Sequence, residues 1–129
     1  MDIRRAVRAD RPVGATQIVL FIPSKNRTGA EIDQTHWVHA GLGVLGRLFR
    51  GATAFPPGRG VWRDDDRGGV LLYEATVMIL CYANPKEVTS PALTELRRFL
   101  LRLGRETRQG EVGVVIDAIY YGFTRFSEE

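Results

Sequence analysis

The sequence is short of cysteine and of long apolar runs, and both shortages exclude classes of protein. Cys81 is the only cysteine in 129 residues, so an internal disulfide framework and a multi-cysteine metal site are impossible. Such low cysteine usage is typical of a reducing compartment, and we expect a cytoplasmic location. No apolar run approaches the ~20 residues that span a membrane, and no apolar segment follows the basic start as in a signal peptide. We therefore expect no membrane association.

Lysine is also scarce, because 16 of the 18 basic residues are arginine. The net charge of +3 arises from two arginine clusters. One cluster lies within the first 12 residues, and the other lies in a predicted helix (Arg97, Arg98, Arg102, Arg105 and Arg108). A basic arm and a basic helix can bind a polyanion, so nucleic-acid binding is one hypothesis. No aromatic residue alternates with these arginines, which favours an ordinary solvated surface.

The pattern of apolar residues and turn residues predicts one domain over residues 16–126, after a flexible basic arm over residues 1–15. The predicted order is strand, helix, strand, strand, helix, strand. These elements cover residues 16–22, 32 or 33 to 50, 52–63, 70–82, 90 to 104 or 110, and 111–123. Asp33 is the expected N-cap of the first helix. The second strand is interrupted by Pro56-Pro57-Gly58, which is typical of a sheet edge.

This order predicts an α+β fold of the ferredoxin-like kind. Two right-handed β-α-β crossovers would give a four-stranded antiparallel sheet with both helices on one face. The first and third strands would be central, and the second and fourth would lie at the edges.

The face of this sheet that the helices leave open is expected to be apolar. The predicted first and third strands carry apolar residues on both faces, whereas a face in contact with water normally alternates to polar residues. Soluble monomers rarely expose an apolar patch of several hundred Å². We therefore predict that a second copy of the chain, in a homodimer or homotrimer, or an apolar ligand covers this face. The alternative is that the N-terminal arm or a long loop folds over it.

Two acidic residues, Glu74 and Asp117, interrupt predicted apolar strands. A buried carboxylate has to be paired or protonated, and a carboxyl group in such surroundings is a candidate acid or base. The structural alternative for Glu74 is an ion pair with Arg59, Arg63 or a partner's arginine. Asp117 lies on a predicted edge strand, where its side chain can reach water.

His36 and His39 are three residues apart, so they share one face of the predicted first helix. This spacing can supply two metal ligands, but two are too few and no third ligand has a fixed spacing. We predict no metal and no cofactor. The two histidines are candidate acid or base residues only if the protein is an enzyme, in partnership with Glu74.

The turn over residues 58–63 combines flexible glycines, arginines and an aromatic residue. Backbone amides with an arginine can hold a small anion. The predicted ligand-binding residues are Arg59, Trp62, Arg63, Tyr73 and Glu74. The alternative is a bulge on an edge strand, with Trp62 packed in the core.

The stretch Phe55-Pro56-Pro57-Gly58-Arg59-Gly60-Val61-Trp62-Arg63, with Glu74 beyond it, resembles a family of small uncharacterised bacterial proteins. Members carry a Phe-Pro-x-Gly turn, a Gly-x-Trp and a later glutamate on the next strand. The resemblance implies a ferredoxin-like fold and marks Trp62 and Glu74, but it implies no established activity. The order of elements is also similar to PII-type signalling proteins, whose trimeric relatives bind nucleotides between subunits. Here only a short Asp-rich turn takes the place of their functional loop.

Three functional hypotheses follow. The first is a non-enzymatic homo-oligomeric module that binds a small anionic or apolar ligand, or a protein, through the open sheet face and the 58–63 turn. The second is a small enzyme of the dimeric α+β barrel type, with Glu74 and His36 or His39 as acid and base. The third is nucleic-acid binding through the arginine-rich second helix and the N-terminal arm.

Overall fold

The computed structural model describes residues 1–11 and 15–127, and these residues form six strands and three α-helices. The helices are α1 (Ile3–Val7), α2 (Gln34–Phe49) and α3 (Ser90–Glu106). The strands are β1 (Thr16–Ile22), β2 (Thr53–Ala54), β3 (Gly58–Asp64), β4 (Val70–Ala83), β5 (Val112–Ile116) and β6 (Ile119–Phe123). Single 3-10 turns at Asp65–Arg67 and Pro85–Glu87 precede β4 and α3.

All six strands belong to one antiparallel sheet with the order β2-β4-β1-β5-β6, and β3 also pairs with β4. The long strand β4 joins two parts of this sheet. Its residues 77–83 pair with β1, and its residues 70–76 pair with β3. We call the pair formed by β3 and residues 70–76 of β4 the ribbon, because β1 does not continue beside it.

The predicted four-stranded ferredoxin-like sheet is wrong, because the sheet has six strands. Two predicted strands each divide. Pro56 and Pro57 separate β2 from β3, since proline donates no hydrogen bond to a sheet ladder. Asp117 and Ala118 separate β5 from β6, with φ values of +48° and +69° that suit a two-residue hairpin turn.

The core lies between one face of the sheet and the helices α2 and α3. Ile18, Leu20 and Ile22 of β1 are fully buried on this face. The helices reach the sheet closely at Gly41, where an added Cβ atom would lie 2.9 Å from Ile79 Cδ1 and 3.4 Å from Phe99 Cζ. The close approach of α2 to the sheet therefore depends on a residue without a side chain.

The opposite face of the sheet is apolar, and the described helices do not cover it. Since side chains alternate along a strand, Phe21 of β1 and Met78 and Tyr82 of β4 point to this face. Met78 and Tyr82 are 44% and 61% exposed. At the far edge, the Tyr120 ring lies 6.5 Å from that of Phe21. We call these residues, with Val19, Leu80 and Val115, the open face.

The N-terminal arm contains a short helix that the sequence did not predict. Asp2 caps α1, and its carboxylate accepts a hydrogen bond from Arg5 N. None of the residues of α1 is buried, and the end of the predicted arm includes residues 12–14, which lie outside the described residues. Within the ranges described, no helix has the length and apolar character that crossing a bilayer requires.

Cys81 is a buried thiol on the core side of β4, with 1% of its surface exposed. Burial raises its pKa, and the negative charge of Glu87 raises it further. Because the thiolate is the reactive form, this environment disfavours reaction at Cys81.

Candidate functional site

A cleft of about 540 Å³ opens where the ribbon leaves the rest of the sheet. Its floor comes from β3 and β4, and its wall comes from the segment that joins β1 to α2. The lining residues are Ser24, Lys25, Glu31, Ile32, Gln34, Arg59, Gly60, Tyr73, Glu74 and Ala75. The cleft exists because β1 ends at Ile22 while β4 continues past it.

Glu74 is the most firmly held acidic residue of this cleft. Its Oε1 atom accepts hydrogen bonds from the backbone N–H groups of Ser24, at 2.8 Å, and of Lys25, at 3.1 Å. Among the described residues, the Oε2 atom has no hydrogen-bond partner. One oxygen is thus fixed to the backbone, and the other is available to a ligand.

Gln34 joins the wall of the cleft to its floor. It is the first residue of α2, directly after the N-cap Asp33, whose carboxylate accepts from His36 N at 3.1 Å. The Gln34 Nε2 atom donates to Ile22 O at 3.0 Å and to Ala75 O at 2.9 Å. These bonds bridge β1 and β4 at the point where the two strands separate.

The loop that carries Lys25 and Glu31 is braced from two sides. Asn26 Oδ1 accepts from Thr28 N at 3.0 Å and from Ala30 N at 2.9 Å, which closes the turn. Gln109, beyond the end of α3, donates from Nε2 to Lys25 O at 2.9 Å. The position of the wall is therefore set by α3 as well as by α2.

Charges of both signs line the cleft. Lys25 and Arg59 bring cations, and Glu31 and Glu74 bring anions. Tyr73 adds an aromatic ring that is 69% exposed. This combination suits a small ligand that carries a positive and a negative group together with a flat or apolar part.

Three of the predicted site residues meet in the cleft: Arg59, Tyr73 and Glu74. Trp62 and Arg63 lie farther along the ribbon. The Trp62 side chain is 50% exposed, so it is not packed in the core, and Arg63 Nε pairs with Asp65 Oδ1. The 58–63 turn is therefore strand β3 rather than a loop, and only its first residues reach the cleft.

His36 and His39 do not line the cleft. Both are exposed on α2, and the His36 ring packs edge-on against Trp37, with 5.3 Å between ring centroids. The described residues contain no group of three or more His, Cys, Asp or Glu side chains arranged to hold a metal ion.

Asp117 has a structural role in the β5–β6 turn. Its Oδ1 atom accepts from Gln17 N at 2.9 Å, and its own N–H donates to Gln17 O at 2.9 Å. These bonds fasten the turn to the start of β1, far along the chain from Asp117.

The sequence analysis missed Ser24, Lys25 and Gln34. Ser24 and Lys25 lie in a segment of turn-forming residues, and Gln34 lies in the first turn of α2, so residue type alone marks none of them. Their roles depend on contacts with residues about 40 to 50 positions away, and no local pattern encodes those contacts. The useful signal was the acidic residue Glu74 in an apolar strand, since such a residue requires donors from elsewhere.

The arginine cluster of α3 is partly engaged within the protein. Arg98 pairs with Glu95, and Arg102 Nε lies 2.9 Å from Glu106 Oε2. Arg102 also lies over the Trp37 ring, 5.4 Å from its centroid. These contacts reduce the positive charge that the helix offers to a polyanion.

Comparison with known proteins shows which fold surrounds this cleft. The structure is similar to a phage SAM lyase in complex with S-methyl-5'-thioadenosine, with a TM-score of 0.67 and 19% identity, over 94% of this chain and 98% of that chain. It is also similar to a phage SAM lyase in the apo state, with a TM-score of 0.59 and 16% identity, over 92% and 95%. No protein-family model matches the sequence, and no curated protein is significantly similar to it.

These similarities correct two expectations. The fold is that of the phage SAM lyase chains and not the four-stranded ferredoxin-like plan. The first functional hypothesis, a non-enzymatic binding module, is contradicted as well, because the solved chains that share this fold along almost their whole length are those of an enzyme. The enzyme alternative is the better supported one.

Proposed function

We propose that this protein is an enzyme that cleaves S-adenosylmethionine in the Glu74 cleft and releases S-methyl-5'-thioadenosine. The observation that carries the proposal is a backbone-anchored carboxylate lining a cleft, within a fold that a phage SAM lyase shares over 94% of this chain. The cleft volume of about 540 Å³ falls in the range of roughly 300–1,000 Å³ typical of small-molecule sites.

The products define which bond breaks. The sulfonium sulfur of S-adenosylmethionine carries a methyl group, the 5' carbon of the ribose and the γ carbon of an aminobutyrate chain. S-methyl-5'-thioadenosine keeps the first two, so the sulfur–γ carbon bond breaks and its electron pair stays on sulfur. Because a lyase adds no water, the γ carbon has to form its new bond to another atom of the aminobutyrate group. Either its carboxylate oxygen bonds to that carbon and closes a lactone, or the β carbon loses a proton and a double bond forms.

Glu74 is suited to act on the aminobutyrate chain in both routes. Its Oε2 atom can accept a hydrogen bond from the α-ammonium group and so orient the chain for ring closure. The same atom can receive the β proton when the double bond forms. The two products, homoserine lactone and 2-aminobut-3-enoate, are isomers, and the vinyl signals in proton NMR distinguish them.

The other charges of the cleft fit the same substrate. Lys25 and Arg59 are suited to the α-carboxylate, opposite in sign to Glu74, so that the amino-acid end binds as a zwitterion. The exposed Tyr73 ring offers a face to the purine or to the sulfonium cation.

The test is to incubate the purified protein with S-adenosylmethionine and follow S-methyl-5'-thioadenosine by liquid chromatography. We expect turnover by the unaltered protein. Glu74→Gln should lower kcat by about 100-fold or more, the usual contribution of a positioned acid or base. Arg59→Ala should mainly raise KM, because Arg59 binds the substrate and does not react with it.

The matched control is His39→Gln, which changes a titratable residue outside the cleft lining. We expect its kcat to equal that of the unaltered protein. Absence of S-methyl-5'-thioadenosine formation would overturn the proposed function. Full activity of Glu74→Gln would remove Glu74 from the mechanism. A loss of activity in His39→Gln would support a catalytic role for the histidines.

We also propose that the open face joins copies of the chain into a homodimer or homotrimer. Support comes from its apolar composition and from the exposure of Met78 and Tyr82. Light scattering should give a mass that is a multiple of 14.4 kDa. Met78→Asp should shift the protein to the monomer, whereas Leu93→Asp, a similarly exposed position on α3, should not. A monomer at all concentrations would contradict this interface.

Three expectations from the sequence stay predictions. They are the cytoplasmic location, nucleic-acid binding through the arm and α3, and the resemblance to the small bacterial family. For nucleic-acid binding, a steep loss of affinity with salt is the expected signature.

A further inference from the structure

The segment that follows β1 takes over the pairing with β4 after the strand itself has ended. β1 and β4 pair from Thr16 opposite Ala83 to Ile22 opposite Val77. Continued in the same register, Ser24 would lie opposite Ala75, and Lys25 opposite Glu74. Hydrogen bonds occur between these same pairs, but they use side chains in place of a regular ladder.

Ser24 makes two hydrogen bonds to this part of β4. Its backbone N–H donates to Glu74 Oε1 at 2.8 Å, and its Oγ atom accepts from Ala75 N at 3.2 Å. One residue thus fixes both the carboxylate of Glu74 and the backbone directly after it. Gln34 holds the other backbone group of Ala75, the carbonyl oxygen, at 2.9 Å.

This arrangement limits how Glu74 can move. A glutamate side chain normally loses substantial rotamer freedom when it is ordered, and an exposed ribbon offers few packing contacts to order it. Here the anchoring of Oε1 orders the side chain before any ligand arrives. A carboxylate held in advance of the reaction does not have to be reorganised during it.

We propose that Ser24 is a positioning residue for Glu74: its N–H group holds the carboxylate, and its hydroxyl holds the backbone of Ala75, so that together they keep Glu74 in its working orientation. This inference rests on the proposed function, because the orientation affects a rate only if Glu74 acts on the substrate. Ser24 acts through Glu74 and need not touch the reacting atoms.

The experiment is a double-mutant cycle on kcat. Ser24→Ala removes the bond to Ala75 N and should lower kcat by about five- to tenfold with little change in KM, the effect expected from losing one hydrogen bond. Ser24→Thr keeps the hydroxyl and should restore most of the rate. In the Glu74→Gln background, Ser24→Ala should cost nothing further, because its effect passes through Glu74.

A merely structural role for Ser24 would give a different result. The loss would then be the same in both backgrounds, and that additivity would overturn the proposal while leaving the proposed function intact. Thr28→Ala is the matched control, since it removes from the same loop a hydroxyl that, among the described residues, bonds to Asn26 Oδ1 at 2.8 Å and does not contact Glu74 or Ala75. We expect its kcat to be unchanged.

A second measurement needs no turnover and separates the two proposals. Amide hydrogen exchange at Ser24 and Lys25 should be slow in the unaltered protein and about tenfold or more faster in Glu74→Ala. Unchanged exchange would overturn the positioning of Glu74 whatever the activity. Faster exchange in a protein that forms no S-methyl-5'-thioadenosine would overturn the proposed function alone.

Discussion

The two halves of β4 have similar apolar sequences but very different surroundings. In residues 77–83, Val77, Ile79 and Cys81 pack against the helices and are at most 5% exposed. In residues 70–76, Leu71 and Tyr73 are 54% and 69% exposed, although they belong to the same strand. Strand-forming residues therefore explain the length of β4 but not which part of it is buried. Burial depends on the elements that lie alongside, and β1 with the two long helices accompanies only the second half.

The cleft lies at the boundary between these two regions. The buried half supplies a rigid support, because its side chains are fixed by close packing. The ribbon supplies exposed surface and the side chains of Arg59, Tyr73 and Glu74. Bonds from Ser24 and Gln34 then stop the ribbon from moving freely where the two regions meet. Residues in the ribbon are consequently available for binding, because the core does not depend on them.

The largest expected contrast between the two regions is in stability. Leu20→Ala deletes a fully buried side chain and should lower the free energy of unfolding by about 2–5 kcal/mol. Leu71→Ala, the matched deletion in the ribbon, should change it by no more than about 0.5 kcal/mol, as is usual for exposed positions.

Urea denaturation of both variants, at one low protein concentration, measures this contrast. A cost for Leu71→Ala that approaches that of Leu20→Ala would break the comparison. It would mean that another copy of the chain buries the ribbon in solution.

The same contrast explains what could be predicted from the sequence. The apolar run over residues 16–22 predicts β1 with its observed bounds, and Asp33 is the N-cap of α2 as expected. The hairpin turn at Asp117 and Ala118 was missed, because it contains no glycine despite its positive φ values. The ribbon was missed because a strand sequence does not state where its neighbour ends. Glu74 was singled out by its type and position, whereas Ser24 and Gln34 become functional candidates only through the long-range pairing.

A smaller contrast lies within α2, between the glycine that faces the sheet and one that does not. Gly41→Ala would place a Cβ atom 2.9 Å from the buried Ile79 Cδ1, so it should destabilise the protein by about 1–2 kcal/mol, net of the gain in helix propensity. An added Cβ atom at Gly46 would meet nothing within 4 Å, so Gly46→Ala should stabilise the protein by roughly 0.5–1 kcal/mol.

Thermal unfolding followed by circular dichroism measures both glycine variants. Opposite signs would sharpen the view that close packing on the sheet, and not helix propensity, selects glycine at position 41. A gain in stability for both variants would show that the core side chains beside Gly41 can shift to make room for a methyl group.

The smallest effect is expected at the far edge of the sheet, where Tyr120 of β6 is as exposed as the ribbon but has a specific partner. Burial, which is the largest cause, together with the hydrogen bond to Glu111 and the negative charge of Glu111 raises the pKa of Tyr120 from 10.0 to about 12. Between these two pH values the unfolded chain has released the phenol proton while the folded chain retains it. The contribution of Tyr120 to stability is therefore complete below pH 10 and is lost as the pH rises towards 12.

The difference between the unaltered protein and Tyr120→Phe isolates this contribution, because the lysines and the other tyrosines titrate in both proteins. We expect the stability advantage of the unaltered protein, measured by urea denaturation, to shrink between pH 10 and pH 12. The change should be modest, because Tyr120 is 54% exposed and water screens its interaction with Glu111. A difference that does not vary with pH would mean that the Tyr120–Glu111 bond, 2.8 Å long in the structure, does not persist in solution. The Tyr120 side chain would then be no better ordered than the exposed side chains of the ribbon.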